Sequence, residues 1–464
     1  MQLVKAKELA AAVKGKILSG NPETLIESIS IDSRLIKRGQ FFFAIKGERF
    51  DGNNFIDKAL ENGALGALFS GNLEICEFPS NVLLIKVEDG VAALGDFAKA
   101  YRKKFQNVSI AAITGSNAKT TTKEMLFEIL SQRGKTLRSE GNLNNRIGLP
   151  LSILELDYSD KFAVFEMGTS LFGEIKTLAD ITAPQAALIT NIGYSHLETF
   201  ISPQGVYKEK IDLFNSIPDG GFIILNFDDA FLKNFKPRSN QKIISYSLNK
   251  TSANVYAKSI VLGSDKSTFE ICATGRSIKI SLAAKGEMNV LNAVAASAVS
   301  LAFDFSLDEI KRGLENFKMP QMRMQTQITK SKAIFINDAY NANPSSMKQA
   351  IKDICSTFAN KEITLVLGDM LELGEASDKY HKEIGEFIKT QKIKNVYLIG
   401  EKMKNVKDVL GDGAFYTTDI DNLLSSIDKN NFNENTVVFF KASRGMKLEQ
   451  IYKSLLQNNA ISEG

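Results

Sequence analysis

Lys119 and Thr120 are the residues whose types and setting most clearly favour chemistry. They lie in the segment Thr114–Thr121 (TGSNAKTT), between an apolar run at 108–113 that predicts a buried strand and a stretch at 122–132 that predicts a helix. This order is typical of loops that bind phosphate groups, because backbone N–H groups and the helix N-terminus face the anion, the lysine adds charge and a hydroxyl can reach Mg²⁺. The strict G-x-x-x-x-G-K-[ST] pattern would need glycine where this chain has Ile113 and Ala118, so an ordinary strand-to-helix turn is the alternative.

Two further polar strand ends are predicted beside this loop. An apolar strand at 162–166 ends in Glu166, and the segment after a strand at 186–190 reaches His196. Ligands bind outside the C-terminal ends of strands in open α/β sheets. Glu166 and His196 could therefore hold a divalent cation together with Thr120, although a histidine ligand is unusual for Mg²⁺. The alternatives are that Glu166 caps the next helix and that His196 forms hydrogen bonds within its loop.

A glycine-bounded loop at 141–148 (GNLNNRIG) carries three asparagines and an arginine. Asparagines satisfy turns readily, so a structured loop is one interpretation. The same residues are suited to holding a polar, anionic ligand.

The last third of the chain contains three polar strand ends, at 337–344 (NDAYNANP), 368–374 (GDMLELG) and 441–446 (KASRGM). Each alone is compatible with turn chemistry. Together along one sheet edge, they predict a single binding crevice.

The elements that position these motifs alternate between strands and helices, which predicts α/β architecture with parallel sheets covered on both faces. We expect three domains: a small mixed α/β domain at 1–84, a central domain at 85–318 with a mostly parallel sheet that carries the P-loop-type segment, and a C-terminal doubly wound, Rossmann-like domain at 319–464. Short alternating strands at 255–282 predict antiparallel additions to the central sheet, before a helix at 289–303. Residues 1–18 show an amphipathic helix pattern.

Composition excludes several classes of function. The net charge of +4 over 464 residues is too small to favour nucleic acid or a membrane surface as partner. We expect neither a transmembrane helix nor a signal peptide. Cys76, Cys272 and Cys355 lie far apart, which predicts neither a disulfide framework nor a zinc site and fits a reducing cytoplasm.

Together these motifs resemble the Mur ligases of peptidoglycan synthesis over nearly the whole chain, from Asp32-Ser33-Arg34 to Lys441–Met446. The segment 115–121 resembles their phosphate loop. The loop at 141–148 resembles a substrate loop of the type that adds D-alanyl-D-alanine to UDP-N-acetylmuramoyl-tripeptide. The stretches 338–344 and 368–374 are the most characteristic of that type, since the sister ligases for single amino acids carry different residues there.

The resemblance implies an ATP-dependent amide ligase that acts through an acyl phosphate. It would contribute to peptidoglycan synthesis, and so to cell wall biogenesis, cell shape and division, as a cytoplasmic monomer. The first domain would hold the UDP substrate, the second ATP and two Mg²⁺ ions, and the third D-alanyl-D-alanine. The third residue of the tripeptide, meso-diaminopimelate or L-lysine, is not distinguished.

The resemblance also implies roles for individual residues. Catalysis would involve Lys119, His196, Arg323 and Lys210, with Lys210 carbamylated; a plain solvent-exposed helix lysine is the alternative for Lys210. Metal ligands would be Thr120, Glu166 and His196. Nucleotide contacts would come from Gly115, Ser116, Asn117, Ala118, Lys119, Thr120, Thr121, Asn289, Asn292 and Asp338. Substrate contacts would come from Ser33, Arg34, Asn142, Asn144, Asn145, Tyr340, Asn341, Asn343, Ser443 and Arg444.

Three departures from the family pattern stand out: Ala118 and Ala442 where glycine is usual, and Met288 where histidine is frequent. If position 118 needs a positive φ, alanine costs about 1–2 kcal/mol there. Two other hypotheses therefore stay open. One is another Mur-type or folylpolyglutamate-synthase-like ligase, and the other is a catalytically weak nucleotide-binding homologue.

Overall fold

A computed structural model describes residues 1–47, 50–73, 78–238, 240–263, 265–427 and 432–458. In these ranges, no helix is both long and apolar enough to cross a lipid bilayer. Cys272 and Cys355 are free thiols, and Cys76 lies outside the described residues. The chain forms three successive α/β regions, each built on its own sheet, which confirms the predicted fold class.

The N-terminal region carries a five-stranded sheet of order β2-β7-β6-β5-β4 and a small β1-β3 pair. The predicted helix at 1–18 is wrong at both ends, because strands flank a shorter helix that stops before Lys14 (φ 53°) and Gly15. Its elements are β1 (Val4–Lys5), α1 (Ala6–Ala12), β2 (Lys16–Ser19), β3 (Leu25–Ile26), β4 (Ile29–Ser30), β5 (Phe41–Phe43), α2 (Ile56–Glu61), β6 (Gly66–Ser70) and β7 (Leu83–Val87).

A domain boundary at residue 84 would cut through β7. This strand pairs with β6 in parallel and with β2 in antiparallel orientation. We therefore propose that the first region extends to Val87.

The central region carries a nine-stranded sheet of order β16-β15-β14-β13-β12-β11-β8-β10-β9. Its middle strands are buried on both faces, as parallel strands between two helix layers must be. The elements are α3 (Gly90–Arg102), β8 (Ser109–Thr114), α4 (Lys119–Leu130), β9 (Thr136–Arg138), α5 (Gly148–Leu154), β10 (Phe162–Glu166), α6 (Glu174–Thr182), β11 (Ala186–Ile189), α7 (Leu197–Phe200), α8 (Pro203–Lys210), α9 (Asp212–Asn215), β12 (Phe222–Asn226), β13 (Lys242–Ser247), β14 (Val255–Leu262), β15 (Ser267–Ala273), β16 (Arg276–Leu282), α10 (Glu287–Ala302) and α11 (Leu307–Asn316).

The antiparallel strands predicted at 255–282 are confirmed: β14 pairs with β15, and β15 with β16, in antiparallel register. The predicted helix at 122–132 begins earlier, at Lys119. Its first turn is therefore part of the phosphate-loop motif itself.

The C-terminal region carries a six-stranded sheet of order β17-β18-β22-β19-β20-β21, parallel except for β17. Helix α12 starts with Asn343 as N-cap in a capping box with Ser346, and with Pro344 at the first helical position. The elements are β17 (Gln325–Ile328), β18 (Ile334–Asn337), α12 (Pro344–Thr357), β19 (Glu362–Gly368), α13 (Ser377–Lys389), β20 (Asn395–Ile399), α14 (Lys404–Leu410), β21 (Phe415–Thr417), α15 (Ile420–Ile427), β22 (Thr436–Lys441) and α16 (Glu449–Asn458).

The first two regions share one apolar core. Phe43 of β5 stacks on Phe97 of α3, with the two ring centroids 6.1 Å apart. The row of aromatic rings continues on one side to Phe41 (6.0 Å from Phe43) and on the other to Tyr101 (6.3 Å from Phe97). The same cluster of buried side chains continues into β8, α5 and α6. The C-terminal region instead meets the central region across a polar cleft, supplemented by apolar contacts from α7 and α8.

Candidate active site

A cleft of about 670 Å³ lies between the C-terminal ends of the central strands and the C-terminal region. Many of the predicted site residues line it: Ser116, Asn117, Ala118, Lys119, Thr121, Asn144, Asn145, Glu166, His196, Asn289, Arg323, Asp338, Tyr340 and Asn341. The others lie behind its walls or elsewhere: Ser33, Arg34, Gly115, Thr120, Asn142, Lys210, Asn292, Asn343, Ser443 and Arg444.

The phosphate loop joins β8 to α4 through two residues at positive φ. Gly115 has φ 148°, and a Cβ there would come within 1.8 Å of Thr190 Oγ1, so only glycine fits. Ala118 has φ 66°, in the left-handed region. Position 118 therefore does need the conformation that glycine adopts at least cost, and alanine carries the expected strain.

The strand end after β11 holds this loop from one side. Asn191 accepts hydrogen bonds from the backbone N–H groups of Ser116 (3.0 Å) and Asn117 (3.1 Å). Lys119 Nζ folds back onto the carbonyl of Gly115 at 2.8 Å. Burial lowers the pKa of Lys119, with a further contribution from Arg323. Because this cation is desolvated, its electrostatic attraction to a bound anion is stronger than it would be in water.

Thr120 and Glu166 lie in direct contact behind the loop. Thr120 Oγ1 donates to Glu166 Oε2 at 2.7 Å, and Asn144 Nδ2 donates to Glu166 Oε1 at 2.8 Å. The alternative that Glu166 caps the next helix is not observed, since both of its oxygens are engaged here. Arg323 reaches over from the start of the third region and donates to Thr120 Oγ1 at 2.9 Å, with its guanidinium 4.2 Å from the Tyr340 ring centroid.

Lys210 ends α8 with a side chain that is only 1% exposed, so the alternative of a plain surface lysine is wrong. Its amine has no hydrogen-bond or ion-pair partner among the described residues. Burial first, and the charge of Lys119 second, lower the pKa of Lys210 to about 7, while Glu209 and Glu166 oppose the shift. A buried lysine amine that titrates near neutral pH, close to Lys119, is a candidate for chemistry rather than for surface solvation.

His196 links the central and C-terminal regions. Its Nδ1 lies 2.7 Å from Glu372 Oε2, on the segment after β19. The hydrogen bond from His196 lowers the pKa of Glu372. Its contact in this structure is thus a carboxylate of the third region, and its role as a metal ligand remains a prediction.

The strand ends of the C-terminal sheet largely bind one another. Asp338 after β18 pairs with Lys441 at the end of β22 at 2.5 Å, and the lysine also donates to the carbonyl of Asn341. Ser443 accepts from the Leu371 N–H at 2.9 Å and donates to the Ala342 carbonyl at 3.2 Å.

Several predicted residues have structural roles. Asp369, in the predicted 368–374 stretch, accepts hydrogen bonds from the backbone N–H groups of Met403 and Lys402. Arg444 is half exposed and pairs with Glu449 at 2.7 Å. In the N-terminal region Ser33 is buried, while Arg34 is exposed and forms a double hydrogen bond to Asp32.

The phosphate loop also touches the third region directly. Asn343 Nδ2 donates to Asn117 Oδ1 at 2.7 Å, and Asn117 Nδ2 donates to Ser345 Oγ at 3.3 Å. The N-terminus of α12 therefore approaches the loop that the motif identifies as phosphate-binding.

Five residues around the cleft adopt positive φ without being glycine: Ala118 (66°), His196 (51°), Met322 (59°), Met324 (48°) and Glu372 (63°). Two of them flank Arg323. Such conformations are costly for residues with a Cβ and concentrate at functional sites.

Sequence reasoning missed several cleft residues. Lys441 was within a predicted motif, but its partner Asp338 is 103 residues away. Glu372, which contacts the cleft residue His196, was likewise in a predicted stretch without an assigned role. Gln349 and Asp353 lie in the middle of α12 and line the cleft, where no short motif could have indicated them.

Comparison with known proteins agrees with this architecture. Models of the Mur ligase family, catalytic domain, the Mur ligase middle domain and the Mur ligase, glutamate ligase domain match residues 25–102, 113–300 and 322–444 respectively. The chain belongs to the Mur ligase family and, within it, to the MurF type.

The similarity to individual members extends over whole chains. The UDP-N-acetylmuramoyl-tripeptide–D-alanyl-D-alanine ligase of Bacillus subtilis is 35% identical over 97% of this chain and 98% of the relative. A crystal structure of MurF from Acinetobacter baumannii superposes with a TM-score of 0.91 at 30% identity, covering 98% of this chain and 99% of that one. MurF ligase from Thermotoga maritima in complex with ADP gives a TM-score of 0.83 at 26% identity, covering 93% and 98%.

Proposed function

We propose that this protein is an ATP-dependent amide ligase that joins D-alanyl-D-alanine to UDP-N-acetylmuramoyl-tripeptide in peptidoglycan precursor synthesis. The observation that carries the proposal is the convergence of Lys119, the Thr120–Glu166 pair and Arg323 at one edge of the cleft. The activity for which the Bacillus subtilis relative is named and the ADP bound to the Thermotoga maritima structure support it.

The reaction needs an activated carboxylate, because a free carboxylate would have to expel oxide. Transfer of the γ-phosphoryl group of ATP to the tripeptide carboxylate gives an acyl phosphate and ADP. The amine of D-alanyl-D-alanine then attacks the acyl carbon, the amide forms and inorganic phosphate leaves. Little covalent work falls to the protein, so positioning and charge stabilisation supply the catalysis.

Lys119 and Arg323 supply that charge. Lys119 is held by Gly115 at the mouth of the phosphate loop, where it can exchange a carbonyl partner for phosphate oxygens. Arg323 comes from the third region, so its charge reaches the transferred group only while the two regions are together. The tripeptide side of the cleft is lined by Asn144 and Asn145.

The residues present fit Mg²⁺. Thr120 and Glu166 offer hard oxygen donors 2.7 Å apart beside the loop, and Mg²⁺ typically uses one or two protein oxygens plus phosphates and water. When bound, the ion would neutralise phosphate charge; we assign Thr120 and Glu166 to one ion and His196 to a second.

Lys210 is suited to carbamylation. A lysine with a pKa of about 7 is unprotonated in about half of the molecules at neutral pH, so its nitrogen can attack CO₂ to form a carbamate with loss of one proton. The product would replace a costly buried cation by an anion beside Lys119. This carbamate would add a negative oxygen to the metal-binding edge.

The remaining assignments follow the same scheme. The N-terminal region would hold the UDP moiety near Ser33 and Arg34, and the C-terminal crevice of Tyr340, Asn341 and Asn343 would hold the dipeptide. Asn289, Asn292 and Asp338 would flank the nucleotide. We propose that the enzyme acts as a cytoplasmic monomer without nucleic-acid or membrane partners.

A phosphate-release assay tests the function. Purified protein with ATP, Mg²⁺ and UDP-N-acetylmuramoyl-tripeptide should release phosphate at a sustained rate only when D-alanyl-D-alanine is added, with the ligated product identified by mass spectrometry. Equal turnover with a single amino acid would instead favour a sister ligase activity. Tight ATP binding without any turnover would favour a nucleotide-binding homologue.

A further inference from the structure

The nucleotide-binding cleft has a second end, away from the phosphate loop, whose chemistry differs from the rest. This end is lined by Met288 of α10, Met319 of the connecting segment, and Ala350 of α12. Flexible thioether and methyl groups of this kind pack well against a flat aromatic ring. The opposite end, near Thr169, Ser170 and Glu174, is polar. A nucleotide with its phosphates on the loop would therefore direct its base towards the two methionines.

Asp353 brings a carboxylate to this apolar end. It is half-buried on α12, and Gln349 Nε2 donates to its Oδ1 at 2.8 Å. Its Oδ2 lies against the start of α10, since a methyl group on Gly286 would come within 2.9 Å of it. In the described part of the chain, Oδ2 has no hydrogen-bond partner.

Asn289, a neighbouring polar residue that lines the cleft, is already engaged. Asn289 Nδ2 donates to the carbonyl of Lys285 at 2.7 Å, and its Oδ1 accepts from Asn292 at 3.3 Å. Asp353 Oδ2 is thus the acceptor left without a protein donor. A partly desolvated acceptor without a donor raises the free energy of the protein, and a ligand that donates an N–H group to it removes this cost.

We propose that Asp353, oriented by Gln349, accepts a hydrogen bond from the exocyclic amine of the bound purine and selects ATP over nucleotides that lack this amine. The inference rests on the proposed function, because it assumes that the cleft binds a nucleoside triphosphate. Burial raises the pKa of Asp353 to about 6, so the carboxylate remains an ionised acceptor at neutral pH. Asp353 therefore determines specificity and takes no part in phosphoryl transfer.

The test compares ATP with purine riboside triphosphate, which has the same ring without the 6-amino group. With wild-type protein, kcat/KM for ligation should favour ATP by about tenfold to a hundredfold, mainly through KM, as expected for a hydrogen bond to a charged acceptor. Asp353→Ala should lose this preference by weakening ATP alone. Asp353→Asn, which preserves size, should reduce it partly. The exposed neighbour Lys352→Ala is the matched control and should keep the wild-type ratio.

Failure of the inference differs from failure of the proposed function. If wild-type protein ligates with ATP and folded Asp353→Ala keeps the full preference, Asp353 does not recognise the base. If no variant ligates, the function is wrong. Calorimetric binding of the two nucleotides then tests base recognition without turnover, and equal loss of affinity for both nucleotides in Asp353→Ala would overturn it.

Discussion

The central and C-terminal sheets both end parallel strands in polar segments at the same cleft, yet they use these segments differently. At the central edge, Lys119 and Lys210 are desolvated amines with lowered pKa values. In the C-terminal sheet, Asp338 and Lys441 neutralise each other, and Ser443 ties two loops together. The charged groups of the central edge are left available for ligands, whereas those of the C-terminal edge bind one another and stabilise the walls of the crevice. A polar strand end is therefore not by itself a ligand contact.

The largest effect should come from Lys119→Ala. Removing the lysine takes a preorganised cation from the transferred phosphoryl group, so kcat/KM for ligation should fall by about a hundredfold to a thousandfold. The thermal midpoint should change little, because burial already disfavours this cation in the free protein. The exposed Lys103→Ala serves as the control. Activity within tenfold of wild type would show that the central edge is as structural as the C-terminal one.

Lys441→Met should damage stability more than any comparable change at the central edge. It leaves the partly buried Asp338 without its partner, at a cost of about 3 kcal/mol, or a fall of about 6–12 °C in the thermal midpoint. The double variant with Asp338→Asn should recover part of the loss. Strictly additive losses, measured by differential scanning fluorimetry, would show that the pair is not coupled.

Lys210→Gln should lower kcat by about a hundredfold with the fold intact, because glutamine cannot form a carbamate. In wild-type protein, isotopically labelled bicarbonate should give a carbamate signal by nuclear magnetic resonance. That signal should weaken as the pH falls through about 7, where protonation removes the nucleophilic amine. Full activity in CO₂-depleted buffer at neutral pH would argue against the modification.

Ala118→Gly should have a small and favourable effect. Glycine removes left-handed strain of about 1–2 kcal/mol at φ 66° but gains freedom in the unfolded chain, so net stability should change by less than about 1 kcal/mol. The KM for ATP should stay equal or fall. A large loss of activity would show that the loop is adapted to the methyl group.

The smallest effect is expected from Arg444→Ala. The side chain of Arg444 is half exposed, so solvent weakens its ion pair with the largely buried Glu449. Ligation kinetics should therefore change by less than about threefold. A large rise in the KM for D-alanyl-D-alanine would instead show that Arg444 reaches the substrate and that the C-terminal edge also reserves charge for ligands.

Much of the fold could be predicted because buried parallel strands leave apolar runs, as β8 and β10 do, and because polar residues follow them. The antiparallel strands at 255–282 were predictable from alternation. The burial of Lys210 was not, since a helix pattern does not show what packs over its last turn. Nor was the contact between Asn117 and Asn343, which depends on how two independently recognisable regions meet across 226 residues. Local patterns predict elements, but they do not predict which polar atoms face each other across an interface.

The left-handed residues around the cleft carry a consequence for local opening of the native state. Conformational strain of about 1 kcal/mol at each of these positions lowers the free energy needed to open the surrounding backbone locally. The strands on either side carry no such strain. Amide hydrogens near Arg323 and in the phosphate loop should therefore exchange with solvent through small openings long before β8 or β22 unfolds. A bound nucleotide that bridges both edges should slow exchange most at these positions.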